Sequence, residues 1–255
     1  KNCDHKFFSH IALLEQYLVV YHMVYSIYMD ITFLGHSSFK IRGKNGIVIC
    51  DPFSPKIGFP FPKVSADIVT ISHHHFDHFA VDQVSGTARK DKPASLAKRG
   101  EPYVIDAPGE YELLDIAVSV HPSFHDGENG KLRGKNNIAI IRIEGIAIAH
   151  LGDLGHLLSD SDIDSLGIID VLLIPVGGEY TLNSKQAVEI AEAIEPSIVI
   201  PMHYRTDKHS PEFAQLATVD EFLKEMGKPG IIPLEKLSLT AGSLPEEMEV
   251  VVLNA

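Results

Sequence analysis

The amino-acid sequence predicts an α/β protein built from stacked sheets. Short apolar runs, typical of buried strands, alternate with stretches in which apolar residues recur at helical spacing. The strand-like runs end in polar or proline-containing loops, and helices follow later in each half, which is typical of sheets covered by helices. The chain has 255 residues, 45% of them apolar, and no low-complexity linker, so we predict a single domain with a sizeable core.

The predicted strands begin with a meander, because Asn45-Gly46 is a strong hairpin signal. The strands are Ile31–Leu34, Phe39–Ile41, Ile47–Cys50, Ile68–Ile71, Ile116–Val120, Ile138–Ile143, Ile146–Ala149, Val171–Ile174 and Ile198–Ile200. The last two are expected to end at Pro175 and Pro201, since proline cannot donate a hydrogen bond to a neighbouring strand. Two helices are predicted, over 184–194 with Asn183 as the N-cap and over 219–226.

Residues 1–28 differ in character from the rest, and we expect them to be an N-terminal extension outside the fold. The segment begins with Lys, and residues 11–28 are mostly apolar, with tyrosines at helical spacing. A membrane span is not expected, because an acid such as Glu15 costs about 2.5–3.5 kcal/mol at the centre of a bilayer. Met29 is then the natural start and residues 29–255 form the domain, with an anchor or a partner-binding helix as the alternative role of residues 1–28.

The charge and the cysteines exclude several classes of protein. The formal net charge of −12 disfavours a nucleic-acid partner, and the one basic cluster, within 89–99, is diluted by Asp91 and Glu101. The two cysteines, Cys3 and Cys50, rule out a disulfide scaffold and indicate a reducing compartment, so we expect a cytoplasmic protein.

The strongest chemical signal is a dense cluster of metal-binding side chains directly after the strand Ile68–Ile71. Its sequence is Ser72-His73-His74-His75-Phe76-Asp77-His78. A divalent cation accepts imidazole nitrogen and carboxylate oxygen, so it turns this crowding into stability. In an extended segment alternate residues face the same way, so His73 and His75 can share one ion while the following turn brings Asp77 and His78 to another. A surface polyhistidine tract is the structural alternative.

Further ligands are needed to complete such a site, and three candidates lie just past apolar runs. They are His125, Asp153 and His203, which follow the strands Ile116–Val120, Ile146–Ala149 and Ile198–Ile200. A lone histidine beyond a strand is more often structural than functional. Three such residues together with the cluster predict a metal centre at one edge of the sheets.

The order of these motifs resembles that of the metallo-β-lactamase-fold hydrolases. The resemblance is carried by His73-x-His75-x-Asp77-His78, then His125, Gly152-Asp153 and His203. Four further stretches resemble the branch that contains ascorbate-6-phosphate lactonases and N-acyl-phosphatidylethanolamine phospholipase D, and above all its uncharacterised bacterial and archaeal members. They are Gly35-His36-Ser37, Asp51-Pro52-Phe53, Pro175-Val176-Gly177-Gly178 and Pro201-Met202-His203-Tyr204. The resemblance covers residues 29–255 and is specific for fold and metal binding, but not for substrate.

This resemblance implies a four-layer αβ/βα sandwich with the site at the sheet edges. The implied ligands are His73, His75 and His125 for one ion, Asp77, His78 and His203 for a second, and Asp153 for both. Asp77 and Asp153 are therefore the candidate catalytic residues. Two divalent ions, zinc or manganese with iron as an alternative, leave room for a bridging hydroxide that attacks phosphorus or a carbonyl carbon.

Other residues near these motifs have two interpretations each. Asp51 either orients a ligand imidazole or forms an Asp-Pro turn. His36 lines the pocket or is a satisfied strand histidine, and His150 is a ligand or a buried hydrogen-bonded histidine. We expect His74 to face away from the ligands.

Three more residues are candidates for contacting a substrate. Arg133 binds an anionic group through its guanidinium or belongs to an ordinary basic hairpin turn. Tyr180 and Tyr204 donate to a substrate oxyanion or simply pack.

The leading functional hypothesis is a dinuclear metal-dependent hydrolase that acts on a small, anionic ester, lactone or phosphodiester. An RNA-processing nuclease of the same fold is an alternative, against which the net charge argues. An iron-dependent oxygenase or electron-transfer partner and a non-catalytic metal-binding module are further alternatives. We expect no nucleic-acid or membrane partner, and a homo-oligomer remains open.

Overall fold

A computed structural model describes residues 28–88 and 100–255 of the chain. The strands up to residue 105 are β1 (Met29–Gly35), β2 (Ser38–Arg42), β3 (Ile47–Cys50), β4 (Val64–Ala66), β5 (Ile68–Thr70), β6 (Val84–Gly86) and β7 (Tyr103–Ile105). The later strands are β8 (Gly109–Leu113), β9 (Ile116–Phe124), β10 (Lys135–Ile143), β11 (Ile146–His150), β12 (Val171–Pro175), β13 (Ile198–Met202), β14 (Leu237–Leu239) and β15 (Glu249–Val250). Residues 1–27, and with them nearly all of the apolar segment 11–28, lie outside the described residues. The same is true of the basic cluster within 89–99.

Three α-helices belong to this part of the chain: α1 (Asp160–Leu166), α2 (Ser184–Ile194) and α3 (Val219–Glu225). The bounds predicted for α2 are confirmed, and its N-cap Asn183 exchanges hydrogen bonds with Gln186 in a capping box. Helix α3 ends one residue before its predicted end. Helix α1 was not predicted; its capping box pairs Ser159 with Asp162, and it buries only Leu166.

The strands form two large mixed sheets. The first has the order β14-β1-β2-β3-β5-β7 and the second the order β15-β13-β12-β11-β10-β9-β8, while β4 and β6 form a small parallel pair. In the first sheet β3, β5 and β7 are parallel neighbours, and in the second β11, β12 and β13 are. Parallel neighbours end at the same edge of their sheet, so the loops that follow these strands lie together.

Apolar side chains of both sheets share one core. This main cluster joins residues such as Val48 and Ile68 of the first sheet to Ile148 and Leu172 of the second. Their sequence neighbours Ile49 and Val69 point to the opposite face of the first sheet, where a second cluster includes Phe53 and Phe61. Helix α2 buries Ala187, Ile190 and Ala191 in the main cluster. The predicted α/β class with stacked sheets is therefore confirmed.

Pro175 ends its strand as predicted, but Pro201 does not. Pro175 is the last residue of β12, and Pro201 lies inside β13 opposite Ile174. The other neighbour of β13, β15, pairs only with Ile198 and Val199. Pro201 therefore lies beyond the part of β13 that is paired on both sides, where a missing N–H is tolerated.

None of the helices among residues 28–88 and 100–255 is long and apolar enough to cross a membrane.

Candidate metal centre

The seven predicted ligands lie at one edge of the two sheets. The segment 72–78 follows β5, while His125, Asp153 and His203 follow β9, β11 and β13. They converge on the buried carboxylate of Asp153, and the approaching ring atoms are Nε2 of His78 at 3.2 Å, Nε2 of His125 at 3.1 Å, Nε2 of His203 at 3.2 Å and Nε2 of His73 at 3.9 Å. Residues up to 130 positions apart in the sequence are thus brought within a few ångströms.

The ligand atoms form groups that could each hold an ion. His73, His75 and His125 offer three ring nitrogens that lie within 4.8 Å of one another. A second group of the same spread contains His36, Asp77, His78 and His203. A third group, made of His73, His78 and Asp153, shares one histidine with each of the other two. The grouping matches the division between two sites in the sequence prediction, with His36 as an added member.

The donor atoms of this cluster fit a metal ion. Six of them are buried and have no hydrogen-bond partner among the described residues: Nε2 of His73, Nε2 of His78, Nδ1 of His125, Oδ1 of Asp153 and both ring nitrogens of His203. Leaving a buried polar group unsatisfied costs about 1–3 kcal/mol. Divalent cations would satisfy those of these atoms that face the carboxylate of Asp153, such as Nε2 of His78 and of His203, so the centre has the chemistry of a metal site.

Asp153 and His78 shift the pKa values of each other in opposite directions. Burial raises the pKa of its carboxyl group, but the imidazoles of His203 and His78 outweigh this effect and hold the pKa well below its usual value. Burial lowers the pKa of His78, yet the carboxylates of Asp153 and Asp77 raise it well above its usual value.

Asp51 orients two histidines of the 72–78 segment, His78 directly and His73 through Ser72. Its carboxylate accepts hydrogen bonds from Nδ1 of His78 at 2.7 Å and from the backbone N–H of Ser72 at 2.8 Å. The hydroxyl of Ser72 also donates to Asp51 and lies 2.9 Å from Nδ1 of His73. Because that hydroxyl already donates to Asp51, it accepts the Nδ1–H of His73. Both histidines therefore turn Nε2 towards the centre, and Asp51 orients an imidazole as one of its two interpretations had it.

His150 is a buried, hydrogen-bonded histidine. Its Nδ1 accepts from the backbone N–H of Gly152 at 3.2 Å, so Nε2 carries the proton and donates to the carbonyl of Ser37 at 2.8 Å. Both ring nitrogens are used in this way, which leaves none for a metal. His74 is exposed, stacks on Phe79 and lies 3.4 Å from Asp106, at the wall of the cavity described next.

A cavity of about 410 Å³ opens onto the centre. Its walls include Phe76 and Phe213 on one side and Arg133 and Tyr180 on another, and its lining includes His75, Asp77, His125, Asp153 and His203. The guanidinium of Arg133 lies 5.5 Å from the centre of the Tyr180 ring and donates to the carbonyl of Glu179. Arg133 is therefore a wall residue of the site.

The other substrate candidate, Tyr204, lies elsewhere. It is buried in the main apolar cluster, where its ring centre is 6.1 Å from that of Phe33, and burial raises the pKa of its hydroxyl to about 12. Of the two interpretations of Tyr204, the structure therefore shows packing.

Asp126 shapes the loop that carries Arg133. Its carboxylate accepts four backbone N–H groups at 2.7–3.0 Å, those of Glu128, Gly130, Leu132 and Arg133. The loss of surrounding water raises the pKa of a carboxyl group, but these four donors outweigh that effect and lower the pKa of Asp126 to about 2. A single side chain thus holds the loop between His125 and Arg133 in shape.

The backbone is strained at the centre. Three non-glycine residues there have left-handed φ angles: His36 at 57°, Asp51 at 43° and His203 at 52°. Such a conformation costs on the order of 1–3 kcal/mol and tends to occur at functional sites. Close packing adds to the constraint, because a Cβ atom on Gly177 would lie 2.0 Å from the carbonyl oxygen of His203.

Three residues of the centre were not found from the sequence. His209 contacts His36, Asp126 supports the 126–133 loop, and the buried Asn136 accepts the backbone N–H of Asp153 at 2.9 Å. Asp126 directly follows a predicted ligand and precedes a glycine-rich stretch, which is a usable signal for a turn. His209 and Asn136 carry no such signal, because their partners are distant in sequence.

Comparison with known proteins supports the same conclusion. Residues 30–203 match the sequence model of the beta-lactamase superfamily domain. The chain is 31% identical to a UPF0173 metal-dependent hydrolase of Thermococcus onnurineus, over 78% of this chain and 92% of that protein. It is 30% identical to another from Pyrococcus furiosus, over 82% of this chain and 96% of that protein.

A solved structure agrees with these relatives. It is that of a protein from Thermotoga maritima, assigned to the Zn-dependent hydrolases of the metallo-β-lactamase superfamily, with a TM-score of 0.68, 35% identity and coverage of 88% of this chain and 98% of that one. Fold and centre together define a metal-dependent hydrolase of the metallo-β-lactamase superfamily. Within that superfamily the chain belongs to the UPF0173 metal-dependent hydrolases.

Proposed function

We propose that the chain holds two divalent ions and hydrolyses a small anionic ester, lactone or phosphodiester. The observation that carries this proposal is the convergence of four imidazole Nε2 atoms on the buried carboxylate of Asp153. The proposed ligands are His73, His75 and His125 for one ion, Asp77, His78 and His203 for the other, and Asp153 for both. Zinc and manganese are the proposed metals, with iron as an alternative, because imidazole and carboxylate donors suit all three.

Asp153, Asp51 and Ser72 have different roles in this proposal. When bound, such ions supply an ionised water near neutral pH and stabilise the negative charge that develops on the substrate. The carboxylate of Asp153 lies between the two groups of histidines and offsets the repulsion between two cations held close together. Asp51 and Ser72 hold His78 and His73 with Nε2 facing inwards, so these ligands need little rearrangement.

The cavity favours a small substrate. Its volume of about 410 Å³ is in the range of small-molecule sites, and its walls combine apolar rings with the guanidinium of Arg133. We propose that Arg133 binds an anionic group of the substrate, because a guanidinium pairs with phosphate or carboxylate through two hydrogen bonds. The net charge of −12 further disfavours an RNA substrate.

Two further proposals concern the location of the protein in the cell and its partners. A cytoplasmic location is supported by Cys50, which is a free, buried thiol. The acidic charge supports the absence of a nucleic-acid partner.

The proposal is tested by metal analysis together with a substrate panel. Purified protein should contain two divalent ions per chain and should turn over bis(p-nitrophenyl) phosphate with added Mn²⁺ or Zn²⁺. The His73→Ala variant should lose an ion and most of the activity, while His121→Phe on β9, outside the cluster, should retain both. The absence of activity with either metal, together with unchanged metal content in His73→Ala, would contradict the hydrolase proposal.

The role of Arg133 has its own test. In Arg133→Met the KM for an anionic ester should rise roughly tenfold, since one charge-assisted hydrogen bond contributes about 1.5 kcal/mol. The KM for a matched neutral ester and the metal content should stay unchanged. An equal loss for both esters would show that Arg133 acts on the fold of the loop and does not bind the anion.

A further inference from the structure

A chain of hydrogen bonds runs from the 203–210 loop to the carboxylate of Asp77. The backbone N–H of Thr206 donates to Nδ1 of His209 at 3.1 Å. Nε2 of His209 lies 3.2 Å from Nδ1 of His36, and Nε2 of His36 lies 3.2 Å from Oδ2 of Asp77. Three elements that are remote in sequence thus meet in one line of contacts.

The backbone N–H of Thr206 sets the direction of every hydrogen bond in this series. A backbone N–H can only donate, so Nδ1 of His209 accepts and its Nε2 carries the proton. That Nε2–H donates to Nδ1 of His36, which therefore accepts in turn. His36 must then carry its own proton on Nε2 and donate it to Asp77.

The hydrogen bonds themselves leave one N–H on each ring. Nδ1 of His209 accepts from Thr206 and Nδ1 of His36 accepts from His209, so neither Nδ1 carries a proton. One tautomer, with the proton on Nε2 of each ring, therefore satisfies all the contacts.

The surroundings hold both rings in place. The carbonyl of His36 accepts the backbone N–H of His203 at 2.7 Å, and the two rings lie 4.2 Å apart. His209 lies between the rings of Phe59 and Phe213, each 5.4 Å away. The loop of His209 packs against Gly58, where a Cβ atom would lie 2.3 Å from the backbone nitrogen of Ser210.

We propose that His209 and His36 form a positioning relay, in which the backbone of Thr206 fixes the tautomer of both rings so that His36 orients the carboxylate of Asp77 towards a metal ion. The distances alone would also allow His36 to be a ligand, since it belongs to the group of Asp77, His78 and His203. The direction of the hydrogen bonds argues against this, because the nitrogen that faces Asp77 has no free lone pair. The inference rests on the proposed function in one respect, the assignment of Asp77 as a ligand.

The test combines tautomer and metal measurements on the full chain. Nitrogen NMR of the metal-free protein reports which ring nitrogen carries the proton, and competition with a chelator gives the affinity for Zn²⁺ and Mn²⁺. In His209→Phe the aromatic packing is kept and the donor is lost, whereas in His209→Gln an amide N–H takes the place of the Nε2–H. His121→Phe is the matched control, and thermal unfolding checks the fold of each variant.

The wild-type protein should show His36 and His209 protonated on Nε2. His209→Phe should bind the weaker of two ions about 10–100-fold less tightly, the effect typical of losing a partner of a ligand, and His209→Gln should restore most of the affinity. A wild-type His36 protonated on Nδ1, or unchanged ion affinity in His209→Phe, overturns the relay and leaves the proposed function standing. Failure of the wild-type chain to bind any divalent ion overturns both.

Discussion

The two sheets contribute to the metal centre in contrasting ways. The first sheet supplies four of the predicted ligands from one short segment, 73–78, whose histidines His73 and His78 are held through Nδ1 by Ser72 and Asp51. The second sheet supplies His125, Asp153 and His203 from three separate loops, and Nδ1 of His125 and of His203 has no partner within residues 28–88 and 100–255. The first half is therefore oriented by side chains, and the second by backbone packing.

This difference shows what each half needs from a metal ion. His73 and His78 of the first half are oriented towards the centre by their hydrogen bonds to Ser72 and Asp51, so ion binding there needs little rearrangement. The two histidines of the second half have no partner for Nδ1 within residues 28–88 and 100–255, so an ion bound at Nε2 would restrain rings that no other side chain holds from the Nδ1 side. We therefore expect that metal removal loosens the second half more than the first.

The largest expected effect comes from Asp153, where the two halves meet. Asp153→Ala should lose at least one ion and lower activity by more than about 100-fold, beyond the usual effect of removing a partner of a ligand. The reason is that, in the proposed two-metal centre, the shared anion would allow two cations to lie close together. Metal analysis and turnover of a phosphodiester measure both effects.

The control for this variant is Asp106→Ala, because Asp106 is an exposed carboxylate beside His74 at the cavity wall. It should bind ions as the wild type does. Two ions per chain in Asp153→Ala would contradict the shared role of the carboxylate.

A smaller effect is expected from Asp51, which orients the first half only. Asp51→Asn should weaken metal binding about 10–100-fold, because the amide is a poorer acceptor for His78 and Ser72 than the carboxylate. Chelator competition gives the affinity, and amide hydrogen exchange should show faster opening of 72–78 with little change around 203. Equal loosening of both halves would remove the contrast between them.

The pH dependence of metal binding sharpens the same contrast. Since the pKa of His78 is raised well above its usual value, its Nε2 carries a proton at neutral pH that must leave before an ion binds. Binding should therefore weaken as the pH falls, by about tenfold per pH unit for each proton displaced. Calorimetry in buffers of different ionisation enthalpy measures the proton released, and its absence would contradict the assignment of His78 as the protonated ligand.

The smallest effect is expected from the N-terminal segment. Removal of residues 1–28 should leave folding and metal stoichiometry unchanged, because β1 begins at Met29 and both halves of the centre lie in the later chain. Yield, thermal unfolding and metal analysis check this. Loss of folded protein on trimming would show that the segment is part of the structure.

The sequence predicts the first half of the centre better than the second. The segment 73–78 is recognisable by density alone, whereas His125, Asp153 and His203 are isolated residues whose importance depends on where their strands end. Strand order is set by pairing across long distances, which local patterns do not encode. The later ligands were therefore only candidates by their place after apolar runs, and the resemblance to a known family assigned each of them to an ion.

The residues that hydrogen-bond to the ligands and orient them were harder to predict for the same reason. Asp51 had a hint, because it directly follows a strand, but a turn explained it equally well. His209 and His36 contact each other across 173 positions, and no periodicity relates them. Tyr204 had two interpretations from the sequence, a substrate contact and packing, and the structure places its side chain in the core.

The close packing of Gly177 limits which substitutions this position tolerates. With the carbonyl of His203 so near, there is no room even for a methyl group at that position. The mildest exchange that a single codon change offers, Gly177→Ala, would displace the loop of His203 although it alters neither charge nor any ligand. Natural variation should therefore be tolerated less at this inconspicuous position than at many polar residues on the surface.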